Sequence, residues 1–287
     1  MDQKRSRSPS CDPKHSRSPT PSDDAKRRCG DRSDWKEALE IVLTAIRTGS
    51  VDAVSEHGLV AKLFGDRKFL IELLDKLDQK QVAGEIEGDS IVAIFREFPE
   101  HMRNDKDVVR EAVTANADTF EYAGDGVKSD AETVLHALKK DAEMKYMNED
   151  LFYDMDFMEK LVKMQPYGVE CLIQDIVDID ERYITQEVAL LLVERDPRCL
   201  EDLPNTWGDD IDVVKAAILE DISAFRYASE DIHSDSAFVK EMLNTEGIGI
   251  KLKEYINFAH DKKGIVKAVV DEFESNADSR ADERCDI

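Results

Sequence analysis

Ser8, Ser18 and Thr20 each stand directly before a proline, inside the runs Arg5-Ser-Arg-Ser-Pro-Ser10 and Ser16-Arg-Ser-Pro-Thr-Pro21. That is the form of a proline-directed phosphorylation site. Residues 1–32 hold nine basic and five acidic side chains, a net of +4, and each phosphate adds about −1.5 to −2, so three phosphates would reverse the sign of the segment. Lys26, Arg27 and Arg28 form a basic cluster of the kind that serves nuclear import or touches nucleic acid. The plainer reading of the same residues is a solvated basic arm.

The rest of the chain lacks the spacings that organise catalysis. It has no Gly-x-Gly-x-x-Gly, no phosphate-binding Gly-Lys-Ser/Thr loop, no Gly-x-Ser-x-Gly elbow and no His-Glu-x-x-His. His15, His57, His101, His136, His233 and His260 are scattered, with no second His or Cys at a metal-ligand interval. Asp178-Ile-Asp180 invites a calcium-loop reading, but Tyr183 stands where that loop needs glycine and Ala189 where it needs glutamate. Gly247 and Gly249 read as a turn before a lysine-containing helix. A cysteine nucleophile needs positive charge beside it; Cys171 lies among apolar and acidic residues and Cys199 at a core position, so both read as structural. No catalytic residue, metal site or cofactor is expected, and the chain reads as non-enzymatic. The alternative enzyme would have to assemble a site across distant segments, with His136 or His233 gathered beside Tyr and carboxylates.

Side chains of this kind must be positioned by a body very unlike the opening segment. The 287 residues carry 63 acidic against 39 basic side chains, a net of −24. Taking out residues 1–32 leaves 30 basic and 58 acidic residues, a net of −28. A body of that sign repels nucleic-acid phosphates, so nucleic acid is expected only through the tail, if at all. Five cysteines, odd in number and never in a Cys-x-x-Cys spacing, speak against a disulfide framework. No window approaches the ~20 apolar residues of a membrane span and the first thirty residues are charged, so the reading is no membrane and an intracellular place, cytoplasm or nucleus. Residues 1–33 contain no Leu, Ile, Val or aromatic side chain to offset an ordering entropy of roughly 1–2 kcal/mol per residue, and read as a disordered basic Arg/Ser/Pro tail.

Beyond residue 104 the chain repeats. Asp105-Lys-Asp-Val-Val-Arg-Glu-Ala-Val, Asp130-Ala-Glu-Thr-Val-Leu-His-Ala-Leu and Asp210-Ile-Asp-Val-Val-Lys-Ala-Ala-Ile share one apolar pattern. Starts fall at Asp105, Asp130, Asp154, Thr185, Asp210, Asp235 and Asp261, spaced 25, 24, 31, 25, 25 and 26 residues, with a weaker one at Asp66. The long interval holds Pro166-Tyr-Gly168 and Asp175 to Asp180, read as an insertion or an extra half-unit. In each unit apolar residues three, four, seven and eight places after the start share one stripe of a helix, as Val108, Val109, Ala112 and Val113 do. The starting aspartates read as helix caps rather than ligands. After Asn116, Asp196 or Asp221 an aromatic element follows, Phe120-Glu-Tyr-Ala123 or Phe225-Arg-Tyr-Ala228. Two short helices in ~25 residues, each too narrow to fold alone, are the mark of stacked repeats.

The expected fold is therefore all-α, a right-handed or irregular α-solenoid of ~25-residue two-helix repeats over residues 105–273. Residues 34–104 read as an N-terminal helical cap, with helices from Asp34, over Leu63 to Leu77 and over Ile91 to Phe98; residues 274–287 read as a frayed tail. The Asp-x-x-Val-Val-x-x-Ala-Val run, the aromatic-x-Tyr-Ala tetrapeptide and the closing Glu230-Asp-Ile-His-Ser-Asp235 resemble the short helical repeats of domain of unknown function 4116, from about Asp105 to Leu243. The resemblance implies a helical array and no activity. The two Arg/Ser/Pro runs also resemble a fragment of an Arg-Ser-rich splicing-factor domain. On this sequence the expected function is a protein-interaction scaffold, an acidic array for a protein partner that is itself basic, with an RNA-associated adaptor acting through the tail as the alternative.

Overall fold

The computed structural model describes residues 32–164 and 168–258. It is all-α, with no strand among the described residues. Residues 32–104 form α1 (Arg32–Thr48), α2 (Gly58–Leu63), α3 (Arg67–Val82), α4 (Gly88–Arg96) and α5 (Glu100–Arg103). The next units supply α6 (Lys106–Ala115), α7 (Asp125–Lys128), α8 (Ala131–Leu138), α9 (Met155–Met164) and α10 (Val169–Asp180). The last are α11 (Gln186–Arg195), α12 (Asn205–Gly208), α13 (Ile211–Glu220), α14 (Glu230–Ser234), α15 (Ser236–Asn244) and α16 (Gly249–Phe258).

The expected starts are caps. Asp105 Oδ1 accepts from the amides of Asp107 and Val108 at 3.1 Å each, and Asp210 Oδ1 from Asp212 and Val213 at 3.0 and 3.1 Å. Asp66, Asp130, Asp154, Thr185 and Asp235 do the same for α3, α8, α9, α11 and α15. Each satisfies amides that a helix start leaves without partners.

Cross-links between units show that the capped helices run side by side in one direction. Arg67, the first residue of α3, donates to the cap Asp105 of α6 at 3.0 Å, Lys106 of α6 to the cap Asp130 of α8, and Gln186 of α11 to the cap Asp210 of α13 at 3.0 Å. Near the other ends, Thr114 of α6 meets His136 of α8 at 3.1 Å. Helix α3 packs on α6, α6 on α8, α8 on α9, α9 on α11, and α11 on α13. Their apolar stripes are buried, Val108, Val109 and Ala112 in α6 and Val213, Val214 and Ala217 in α13 at 0% exposure.

A backbone ladder ties the connecting layer as well. The amides of Gly124, Asn148 and Ser229 donate to the carbonyls of Arg103, Lys128 and Gly208 at 2.8, 3.0 and 2.9 Å. Each donor stands six residues before a cap and each acceptor two before the preceding cap. Pro99 and Pro204 occupy the same donor position in two other units, where a proline has no N–H to give.

The structure departs from the sequence reading in four places. The connecting element is a 3₁₀ turn followed by at most one turn of α-helix, as in Ala117–Tyr122 with α7 and Ile222–Tyr227 with α14, rather than a second full helix. Asn116, Asp196 and Asp221 cap these turns through the amide two residues on, and capped turns of this length close with i→i+3 bonds. The segment Leu63 to Leu77 is split, because α2 ends at Leu63 and Asp66 restarts the chain as α3. The long interval contains a complete helix, α10, whose inner face buries Val169, Leu172, Ile173 and Ile176. Cys171 is exposed on that helix, where the sequence reading made it structural; Cys199 is buried as expected.

Gly124 is required by close approach. A Cβ there would lie 2.2 Å from Cγ of Asn104, whose Oδ1 accepts from the Gly126 amide at 3.2 Å. Gly124→Ala is expected to cost about 1 kcal/mol through loss of that bond, and Asn104→Ala in the same chain to add little further cost, measured as a double-mutant cycle by urea unfolding.

Candidate interaction surface

The 3₁₀ turn Pro197–Glu201 starts at Asp196, whose Oδ1 accepts from the Arg198 amide at 3.1 Å, while proline at the first position loses no needed donor. The turn buries Cys199 and Leu200 and leaves Glu201 and Asp202 at the surface. The following unit lays its turn Ile222–Tyr227 against it. Between them lies a cleft of about 340 Å³ lined by Leu200, Leu203, Gly208, Asp209, Tyr227 and Ser229, with Glu201 at its edge.

The electrostatics of this region are those of like charges held together. Burial pushes the Asp202 carboxyl above its ordinary value, and the carboxylates of Glu170, Glu201 and Asp196 push it further. Tyr227 bonds Glu201, which raises the phenol, and the Arg226 guanidinium lies over the Tyr227 ring, 5.1 Å from its centroid. The nearby cations are already engaged, Arg198 with Asp196 at 3.3 Å and Arg226 with that ring. Arg198 answers Asp196 alone; Glu170, Glu201 and Asp202 make no ion pair among the described residues, and that excess of carboxylate favours a cationic ligand.

A second cleft, of about 690 Å³, opens where α10 interrupts the regular spacing. Leu138, Met144, Met164 and Ile179 form its apolar part, and Lys139, Lys145, Asp141, Glu143, Asp175 and Asp178 its polar part, with Cys171 between. Burial and then the Asp178 charge raise the Asp175 carboxyl. On α10's far end, Tyr183 donates to Glu149 at 2.5 Å and stacks on Phe152 with centroids 4.4 Å apart; the bond to Glu149 holds its phenol up at about 12.

The residues singled out for chemistry are dispersed. His136 faces Thr114, and burial lowers its pKa, opposed by a hydrogen bond to the Arg110 backbone and helped by the charges of Arg110, Lys140 and Lys139. His233 bonds the Phe225 carbonyl at 2.7 Å and meets that ring edge-on. The two histidines therefore sit on separate units, each within a local contact. Asp178 and Asp180 lie inside α10, and Asp180 is held down at about 2 by Arg182. Ser8, Ser18, Thr20, Lys26, Arg27 and Arg28 lie outside the described residues, as do the start at Asp261, Pro166, Tyr167 and residues 274–287. No helix among the described residues is long and apolar enough to cross a membrane, and none of their His, Cys, Asp and Glu side chains group as a metal site.

Residues 185–233 match the family model described as Domain of unknown function (DUF4116). The matched segment begins at the cap Thr185 and takes in α11, the Pro197–Glu201 turn, α13, the Tyr227 turn and most of α14, so it contains the acidic cleft. It carries twelve acidic against four basic side chains. No curated protein and no solved structure matches the chain.

Sequence reading missed the carboxylate cluster because Glu170 and Asp202 belong to different units and no short spacing links them. The two described thiols differ in a way that can be measured. Burial, then Asp196 and Asp202, push the Cys199 thiol up to about 12, whereas Cys171 is exposed. With Cys11, Cys29 and Cys285 replaced by serine, one thiol should react with a disulfide reagent at pH 8 and the second only after unfolding.

Proposed function

We propose that this protein is a non-enzymatic interaction scaffold, an α-solenoid whose acidic surface around Glu170, Asp196, Glu201 and Asp202 takes a basic segment of a protein partner. The observation that carries the proposal is the clustering of those carboxylates beside the Tyr227 cleft, since burial and mutual repulsion raise Asp202 and a bound cation offsets the repulsion. The solenoid part is supported by the parallel capped helices, their cross-linked caps and the backbone ladder between neighbouring units. Contacts of this kind run between adjacent units, as repeat proteins require. The composition of residues 1–33 extends the proposal to a regulated basic arm, whose sign phosphorylation at Ser8, Ser18 and Thr20 would reverse.

The test is titration of the full chain with a fluorescent lysine- and arginine-rich peptide at low and high salt. Saturable binding is expected, with an association rate that falls steeply as salt rises, because steering of this kind is screened over about 8–10 Å. Binding indifferent to salt, or equal binding of an acidic peptide at the same surface, would contradict the proposal.

A further inference from the structure

Against the acidity of the later units, residues 32–104 hold fourteen acidic and ten basic side chains, and three of the cations converge on one place. Helix α1 packs on α2, and between α1 and α3 lies a cleft of about 280 Å³ with an apolar floor of Trp35, Leu39, Phe69 and Leu73. Its edges are Arg32 and Lys36 from α1 and Glu72 and Lys76 from α3. Trp35 meets the Phe69 ring edge-on at 5.7 Å, which fixes the indole. Its Nε1–H is buried and has no acceptor among the described residues. Buried donors are normally satisfied, and this one belongs to a side chain that lines the cleft. Arg32 and Lys36 make no ion pair among the described residues, and Lys76 lies 3.6 Å from Asp75 and gives a hydrogen bond to Gln79. The single carboxylate on the edge, Glu72, leaves the cations in excess.

We propose that this cleft binds a protein segment of acidic and apolar alternation, the opposite chemistry to the ligand of the Tyr227 cleft. Leucine or phenylalanine side chains of the segment lie on Trp35, Leu39 and Phe69, and its carboxylates pair with Arg32, Lys36 and Lys76. Charge complementarity selects an acidic partner, and the apolar floor separates it from a simple polyanion. The site shares no residue with the carboxylate cluster, so it stands whether or not that reading does.

The experiment uses the full chain carrying Trp207→Phe, which leaves Trp35 as the only indole of the two. The probe is a short peptide alternating glutamate with leucine and phenylalanine, followed by Trp35 emission and by anisotropy of a fluorescein label. A saturable blue shift is expected, with binding at least about tenfold weaker in Arg32→Glu/Lys36→Glu and several-fold weaker by anisotropy in Trp35→Phe. Lys76→Gln weakens binding from the other wall, which protects the test if the double reversal disturbs α1, as circular dichroism would show. Glu201→Gln/Asp202→Asn leaves this binding unchanged while weakening that of a basic peptide. A lysine-for-glutamate version of the probe that binds equally, a polyglutamate that binds as well, or the absence of a saturable shift overturns the proposal.

Discussion

Phe120→Ala is expected to lower stability by about 3–5 kcal/mol, the range for removing a fully buried aromatic ring. Phe120 is 0% exposed, lies in the 3₁₀ turn Ala117–Tyr122, and that turn packs on both α4 and α6. The turn is too short to relax into the space left, because Asn116 holds the Asp118 amide and the Gly124 amide is tied to Arg103. A loss of that size is a large part of the roughly 5–15 kcal/mol that holds a domain folded, so urea unfolding should show it plainly. Val82→Ala, at a position 82% exposed, is the control and should stay within about 0.5 kcal/mol. Hydrogen exchange adds the more telling result. If units contact mainly their neighbours, protection should fall in α4, α6 and α8 and change little in α13 and α15. Uniform loss across all helices would mean that the chain unfolds as one unit, against the solenoid proposal.

The features legible in the sequence are those fixed by local physics. A stripe at three, four, seven and eight places after an aspartate can be read because the helix period alone decides which side chains share a face, and Val213, Val214, Ala217 and Ile218 are all buried. The caps were legible because a carboxylate at a helix start has one local task. The second element was harder. Phe120-Glu-Tyr-Ala123 signals burial of an aromatic ring, but the choice between α and 3₁₀ depends on how Asn116 closes the turn and how far the next unit lies. The break at Gly65 was marked in sequence by Gly65-Asp-Arg-Lys68 and the weaker start at Asp66, but the reading ran one helix across it from Leu63 to Leu77. The long interval was read as an insertion or an extra half-unit, and it is the helix α10 that gives it its form. The exposure of Cys171 follows from its place on the outer side of that helix, which only the packing of α10 decides. The same applies to the three clefts, whose residues come from separate helices and turns and become neighbours only through stacking. Acidic composition pointed to the right sign of the surface and carried no information on where carboxylates would crowd.

Neutralising the crowded carboxylates should separate stability from binding, and the two should move in opposite directions. Asp202 is raised first by burial and then by Glu170, Glu201 and Asp196, so the folded chain takes up a proton there more readily than the unfolded one. The ionised group therefore disfavours folding at neutral pH. That penalty is lifted as pH falls through the raised value, and it is gone below the ordinary value of 3.8. Glu170→Gln/Glu201→Gln/Asp202→Asn should accordingly melt higher than the parent chain at pH 7, with the difference shrinking toward zero as pH approaches 4. Affinity for the basic peptide should fall at the same time. Three exposed charge pairs at roughly 0.2–1 kcal/mol each correspond to about a tenfold loss, most of it in the association rate and most of it absent at high salt. Neutralising Glu37 and Glu40 on α1 instead changes the net charge without touching the cluster, and should leave the affinity close to that of the parent. Equal losses in the two variants would show that net charge alone attracts the peptide. A more stable triple variant that binds less well would mean that the carboxylates are held together at a cost to folding because the cluster serves binding, the trade that functional sites commonly make.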